Sequence, residues 1–206
     1  IQNSKIYAIG GFSTPGTGST VIQSATTANP LIWKNESDVL PDALGGGELI
    51  KTKNYYYIIG ANGTTGKYYR APIATPTVWT EAGSDGPDNT FGKCIIVEDQ
   101  LWYFGGETTP GSPVTASWRA VIENGEIVNW REDPASALME LTLPAQLSRF
   151  AFIQSGDYIY IVGGYTAGPA LNTNIYRIQK NLLAGYSGLT RWTTVGTITN
   201  ALVSPA

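Results

Sequence analysis

The chain has no histidine, one cysteine and one methionine among its 206 residues. Without histidine, imidazole bases, triads that contain histidine and most zinc and copper sites are excluded. A single thiol, Cys94, excludes an intrachain disulfide and a cysteine metal cluster. It lies in Lys93-Cys-Ile-Ile-Val97, which reads as a strand, so a buried structural thiol is expected. Charge is also scarce: Asp, Glu, Lys and Arg make up 14% of the chain, with a net charge of -3. No cluster of Lys and Arg is present to meet a phosphate backbone, so a nucleic-acid partner is not expected. No apolar run approaches the length of a membrane-spanning helix, and no signal peptide or lipid-anchor motif is found. The chain does not open on Met, so a processed protein or a segment of a longer one is expected. No cofactor is implied.

Glycine and proline, by contrast, are plentiful at 24 and 12, and 42% of the residues are apolar. Low charge with that apolar share describes a packed protein rather than a disordered one. One signal recurs four times: Lys5-Ile-Tyr-Ala-Ile-Gly-Gly11, Tyr55-Tyr-Tyr-Ile-Ile-Gly-Ala61, Leu101-Trp-Tyr-Phe-Gly-Gly106 and Tyr158-Ile-Tyr-Ile-Val-Gly-Gly164. Each is a short aromatic and β-branched run that stops on small residues. A period of about 45 to 58 residues marks a repeat architecture.

Around each run the pattern predicts short strands. The first module has Lys5 to Ile9, Val21 to Ala25 and Leu31 to Lys34, with a loop from Asn35 to Gly47. The second has Glu48 to Lys51, Tyr55 to Ile59, Tyr68 to Ala71 and Thr77 to Thr80. The third has Lys93 to Val97, Leu101 to Phe104, Ser117 to Ile122 and Glu126 to Arg131. In it Asn124-Gly125 is a type I′ hairpin signal, and Ser136 to Leu141 is the one candidate helical turn. The fourth has Arg149 to Gln154, Tyr158 to Val162, Asn174 to Ile178 and Arg191 to Val195. The expected organisation is one domain over 1–206, with modules near 1–40, 41–88, 89–140 and 141–206.

Repeated four-stranded meanders are the signature of β-propeller blades. One such sheet cannot bury both of its faces alone, and packing blades around an axis buries face on face. Trp33, Trp79, Trp130 and Trp192 fall late in each module, where an aromatic fills the gap between blades; a row of sugar-stacking platforms is the functional alternative. The strand ending in Gly-Gly, then an aromatic (Tyr69, Trp118, Tyr176), then Trp, resembles the Kelch-repeat family over essentially the whole chain. The second copy departs with Gly60-Ala61, the first lacks the middle aromatic, and Kelch rings usually hold six or seven blades. The resemblance implies a blade fold and often a binding role. The histidine-ligated copper chemistry of some Kelch-type oxidases is excluded here.

The expected fold is therefore an all-β propeller of four Kelch-like blades. Tail joined to head, Leu202 to Ala206 followed by Ile1 to Tyr7, matches the phase of Leu147 to Tyr160. This suggests a ring closed by pairing of the N- and C-terminal segments; the rival reading is a piece of a larger ring.

Binding residues on a rigid scaffold collect in its loops. Here the loops that follow the glycine stops are the long ones, so Phe12, Asn62, Glu107 and Tyr165, together with Arg149, are the candidate ligand-binding residues. Solvated turns use the same Gly, Thr, Ser and Pro. No catalytic residue is assigned. The pairs Glu132-Asp133 and Asp85 with Asp88 read as solvated turn acids rather than a glycosidase pair, and no metal ligand set or Walker spacing is found. The repeated boxes of sialidase-type propellers are absent. The leading expectation is a non-enzymatic binding or structural propeller, extracellular or on a virion in the manner of a phage tail fibre. It would contact a glycan or protein, with no nucleic acid or membrane insertion, and could sit in a larger assembly. The alternatives are an intracellular Kelch scaffold for a peptide and a glycan-processing enzyme.

Overall fold

In a computed structural model of the protein, the structure describes residues 4–61, 65–132, 141–168, 170–184 and 192–199. These form sixteen strands in four antiparallel sheets. Sheet one holds β1 (Lys5–Ile9), β2 (Phe12–Thr14), β3 (Thr17–Thr26) and β4 (Asn29–Leu44), with β3 pairing to all the others. Sheet two runs β5 (Glu48–Lys51), β6 (Tyr55–Ile59), β7 (Tyr68–Pro72) and β8 (Thr80–Gly83). Sheet three runs β9 (Lys93–Val97), β10 (Gln100–Phe104), β11 (Ser117–Glu123) and β12 (Glu126–Glu132). Sheet four runs β13 (Ala151–Ser155), β14 (Tyr158–Val162), β15 (Asn174–Gln179) and β16 (Thr193–Thr197). Sheets two to four are plain meanders in which strands consecutive in the chain pair as neighbours. The β11–β12 turn has positive φ at both Asn124 (53°) and Gly125 (83°), as a type I′ hairpin requires.

Four expectations need correction. The stretch read as a loop from Asn35 is the second half of β4, which stays paired to β3 through Gln23↔Asn35, Val21↔Val39 and Ser19↔Leu44 with bulges between them. Its acids are answered locally: Glu36 takes Lys5 and Ser24, Asp38 takes Thr77, and Asp42 takes Tyr69 and Lys67. The fourth strand of sheet two starts at Thr80, so Trp79 precedes it. A single helical turn, α1 (Lys180–Ala184), follows β15, and its Leu183 is fully buried. Trp33 is 42% exposed, whereas Trp79, Trp130 and Trp192 are buried. Between Ser24↔Lys34 and Thr26↔Asn29 four residues of β4 oppose one of β3, and this bulge turns Leu31, Ile32 and Trp33 to solvent. The candidate helical turn from Ser136 and the pairing of the two terminal segments lie largely or wholly outside the described residues.

The core forms three clusters, each between neighbouring sheets. Ile22, Leu40 and Leu44 of sheet one meet Ile58, Tyr69 and Trp79 of sheet two. Tyr57, Ile59 and Tyr68 meet Leu101, Tyr103 and Trp130 of sheet three. Trp102 and Phe104 meet Phe150, Ile159, Ile161 and Trp192 of sheet four. The glycine stop is what lets sheets two and three come together. A Cβ on Gly60, which has φ +68°, would stand 2.6 Å from the Asn89 carbonyl and against the Tyr103 hydroxyl. Cys94 is buried in the second cluster, and burial pushes its thiol well above the usual range.

Candidate functional site

The residues two before three of the inner strands share one backbone state. Gly46, Phe91 and Arg149 precede β5, β9 and β13 and have φ of 72°, 61° and 54°. They are chained: the Phe91 N–H donates to the Gly46 carbonyl at 2.7 Å, and the Arg149 N–H donates to the Phe91 carbonyl at 3.0 Å. This ladder of two bonds crosses from sheet two to sheet three to sheet four and fixes the loops against one another.

The residues after the glycine stops gather on the same ladder. Glu107 exchanges both backbone hydrogen bonds with Thr90, and Tyr165 does so with Ser148. Each is therefore locked beside a left-handed residue, Phe91 in one case and Arg149 in the other. The Phe12 ring stacks on Phe91 with centroids 5.7 Å apart and planes 24° apart. The Arg149 guanidinium lies 3.8 Å over the other ring partner of that stack, the Phe91 centroid, and 5.9 Å from the Tyr165 ring. Phe12, Phe91, Arg149 and Tyr165 thus form one stack that joins sheets one, three and four. Its floor is glycine. A Cβ on Gly45 would stand 2.6 Å from the Phe12 ring, and one on Gly46 would stand 2.9 Å from Phe91.

Glu107 is the brace of this cluster. It is only 2% exposed. Its Oε1 accepts from Ser148 Oγ at 2.6 Å and Arg149 Nε at 3.0 Å; its Oε2 accepts from the Gly111 N–H at 3.1 Å and Arg149 Nη2 at 3.4 Å. Burial pushes its carboxyl upward, but the bonds from Ser148, Arg149 and Gly111 together outweigh that, and it is held below the usual carboxylate range. With both oxygens engaged and the charge fixed, Glu107 orients Arg149 and offers no free proton for acid–base work. The second edge of the guanidinium, Nη1, has no protein partner among the described residues.

Of the five residues expected at the site, the structure brings Phe12, Glu107, Arg149 and Tyr165 together, while Asn62 lies outside the described residues. Phe91 and the two glycines Gly45 and Gly46 are members that the motifs alone do not reveal. Aligning the repeats on their inner strands would have found Phe91, because Gly46, Phe91 and Arg149 share one offset. A separate cavity of about 460 Å³, lined by Asp85, Gln100, Arg119, Trp130 and Arg131 among others, shares none of these residues. Among the described residues no group of three or more His, Cys, Asp or Glu is placed to hold a metal ion.

Four four-stranded antiparallel sheets packed face to face, with loops meeting at a common mouth, define an all-β protein of propeller-like architecture. No protein-family model and no curated protein matches the sequence. Among solved structures, that of YjhT is similar with a TM-score of 0.71 at 13% identity, over 98% of this chain and 70% of that one. At that identity the likeness is one of fold.

Proposed function

We propose that the protein is a non-enzymatic binding module with blades of Kelch type, and that its mouth takes a glycan. The observation that carries this reading is the continuous stack of Phe12, Phe91, Arg149 and Tyr165, with Phe12 38% exposed and the other three half-buried. Aromatic faces held in place offer flat apolar area at small entropic cost, and an oriented guanidinium edge supplies hydrogen bonds beside them. The Kelch assignment is supported by the repeated glycine stop and by Trp79, Trp130 and Trp192 buried at matching places late in their modules. An extracellular or virion setting belongs to the same proposal and is supported by the low charge and the abundance of Gly.

A glycan array probed with the chain and with Phe91→Gly tests the reading. Glycine keeps the left-handed backbone and removes only the ring. One glycan class should bind, and its binding should fall about ten-fold or more with Phe91→Gly. An array without binding, or equal binding by the variant, refutes the reading. A protein partner is the second reading, favoured by Leu31, Ile32 and Trp33 of β4, which are 89%, 56% and 42% exposed. Chemical cross-linking with and without Leu31→Lys checks it.

A further inference from the structure

The two middle sheets and the two outer sheets are buried differently. In β6 and β10 consecutive residues are buried on both faces: Tyr57, Ile58 and Ile59 in one, Leu101 through Phe104 in the other. In β14 only Ile159 and Ile161 are buried, and both belong to the cluster shared with sheet three. In β1 no residue is fully buried. The registers show what the other faces carry. On sheet four, Ile153 pairs with Tyr160 and Ala151 with Val162, and Val162 pairs with Ile175; Ile153 is 48% exposed. On sheet one, Val21 pairs with Val39, and these are 40% and 61% exposed. Among the described residues no core cluster joins sheet four to sheet one. The ladder at the mouth is also open beyond sheet four: the Arg149 carbonyl has no backbone partner among the described residues.

We infer that sheets one and four are the ends of an open arc, and that the arc is completed by further four-stranded sheets of the same kind, which add their own residues to the mouth. The three filled interfaces show what fits such a face, namely the apolar face of another antiparallel sheet. A strand laid along β1 would cover its edge and leave the two faces apart. The fold comparison fits this size: this chain covers 70% of the YjhT chain, and four sheets in 70% of a length scale to about six in the whole, within the range of propellers. A second copy would bring four sheets where about two fit, so the occupant is not a second copy. An incoming sheet would continue the ladder past sheet four by donating to the Arg149 carbonyl.

Thiol labelling tests this. Ile153→Cys and Val39→Cys, made singly, should react with iodoacetamide within about ten-fold of a free thiol, while buried Cys94 stays unlabelled. In the chain extended at Ala206 by a repeat of its own residues 45–132, labelling of Ile153→Cys should slow about thirty-fold or more, with the protein still monomeric. Protection of both thiols in the monomeric 206-residue chain means a closed four-sheet ring and overturns the inference. Protection that rises with protein concentration, together with a doubled mass, makes a second copy the occupant and overturns it too. Unchanged labelling in the extended chain does the same.

Discussion

Removing the Glu107 carboxylate should loosen the whole mouth, and the geometry sets the size of the effect. Glu107→Ala deletes an acceptor of four hydrogen bonds and leaves the Ser148 hydroxyl, the Gly111 N–H and the Arg149 guanidinium without it. Breaking a buried ion pair by removing one partner costs about 3–5 kcal/mol. The Arg149 side chain is 26% exposed, so water recovers part of its solvation and the lower end, about 3 kcal/mol, applies. For a chain of this size each kcal/mol lowers the melting temperature by about 2–4 °C, giving a fall of about 6–12 °C. Arg149→Ala leaves the carboxylate buried and unpaired and should cost a similar amount. The double variant removes both charges, so its loss should fall short of the sum by roughly 2 kcal/mol. Urea unfolding of the four proteins measures this directly. A loss below about 1 kcal/mol for Glu107→Ala, or additivity within about 0.5 kcal/mol, would show that the pair does not brace the mouth.

Acid should act on the same carboxylate. Folding lowers the pKa of Glu107, as it does for Glu36 through Ser24 and Lys5 and for Asp42 through Tyr69 and Lys67. Their stabilisation is complete above the unfolded carboxylate pKa of about 4 and is lost as pH falls through the lower folded values, so Glu107→Gln should flatten the acid limb of a stability–pH curve. Glycine positions should divide by what surrounds them. Gly60→Ala meets the Asn89 carbonyl and Tyr103, and should cost more than about 2 kcal/mol, whereas Gly11→Ala at φ +96° meets no atom within 4 Å and should cost only the backbone strain of about 1 kcal/mol, by chemical denaturation. The late tryptophans should divide as well: Trp79→Ala should cost about 3–5 kcal/mol and Trp33→Ala less than about 1 kcal/mol, read from melting curves.

Strands such as Tyr55–Ile59 and Tyr158–Val162 were legible because an aromatic, β-branched run bounded by glycine has few other solutions. β4 was not, because its second half is polar and carries Pro41; its acids find partners on β1, β3, β7 and near β8, a fact that only the folded sheet supplies. Trp33 departs from its repeat mates because the bulge that exposes it depends on the register with β3, which analogy between repeats does not supply. At the mouth, counting positions after each glycine stop reached Phe12, Glu107 and Tyr165. It could not show that Glu107 is buried as a brace while Phe12 is exposed, because that division follows from where Arg149 lies.

Phe91 and Arg149 carry the strongest physical argument that the mouth is a site. A left-handed residue is needed there to send the chain from one blade into the next, and Gly46 meets that need without strain. A side chain in the same state costs about 1–2 kcal/mol, and a bulky one such as Phe is a rare choice. Ser4, Glu98, Asn124 and Asn129 also have positive φ, but each lies in a turn or beside a bulge that suits a short or polar side chain. At Phe91 and Arg149 the ladder of backbone bonds, the glycine floor and the Glu107 brace all act to hold two strained residues with their side chains in contact. A scaffold that required only the turn would be more stable with glycine at both. The strain is concentrated where the two side chains meet Phe12 and Tyr165, so what these positions retain is the stacked surface itself.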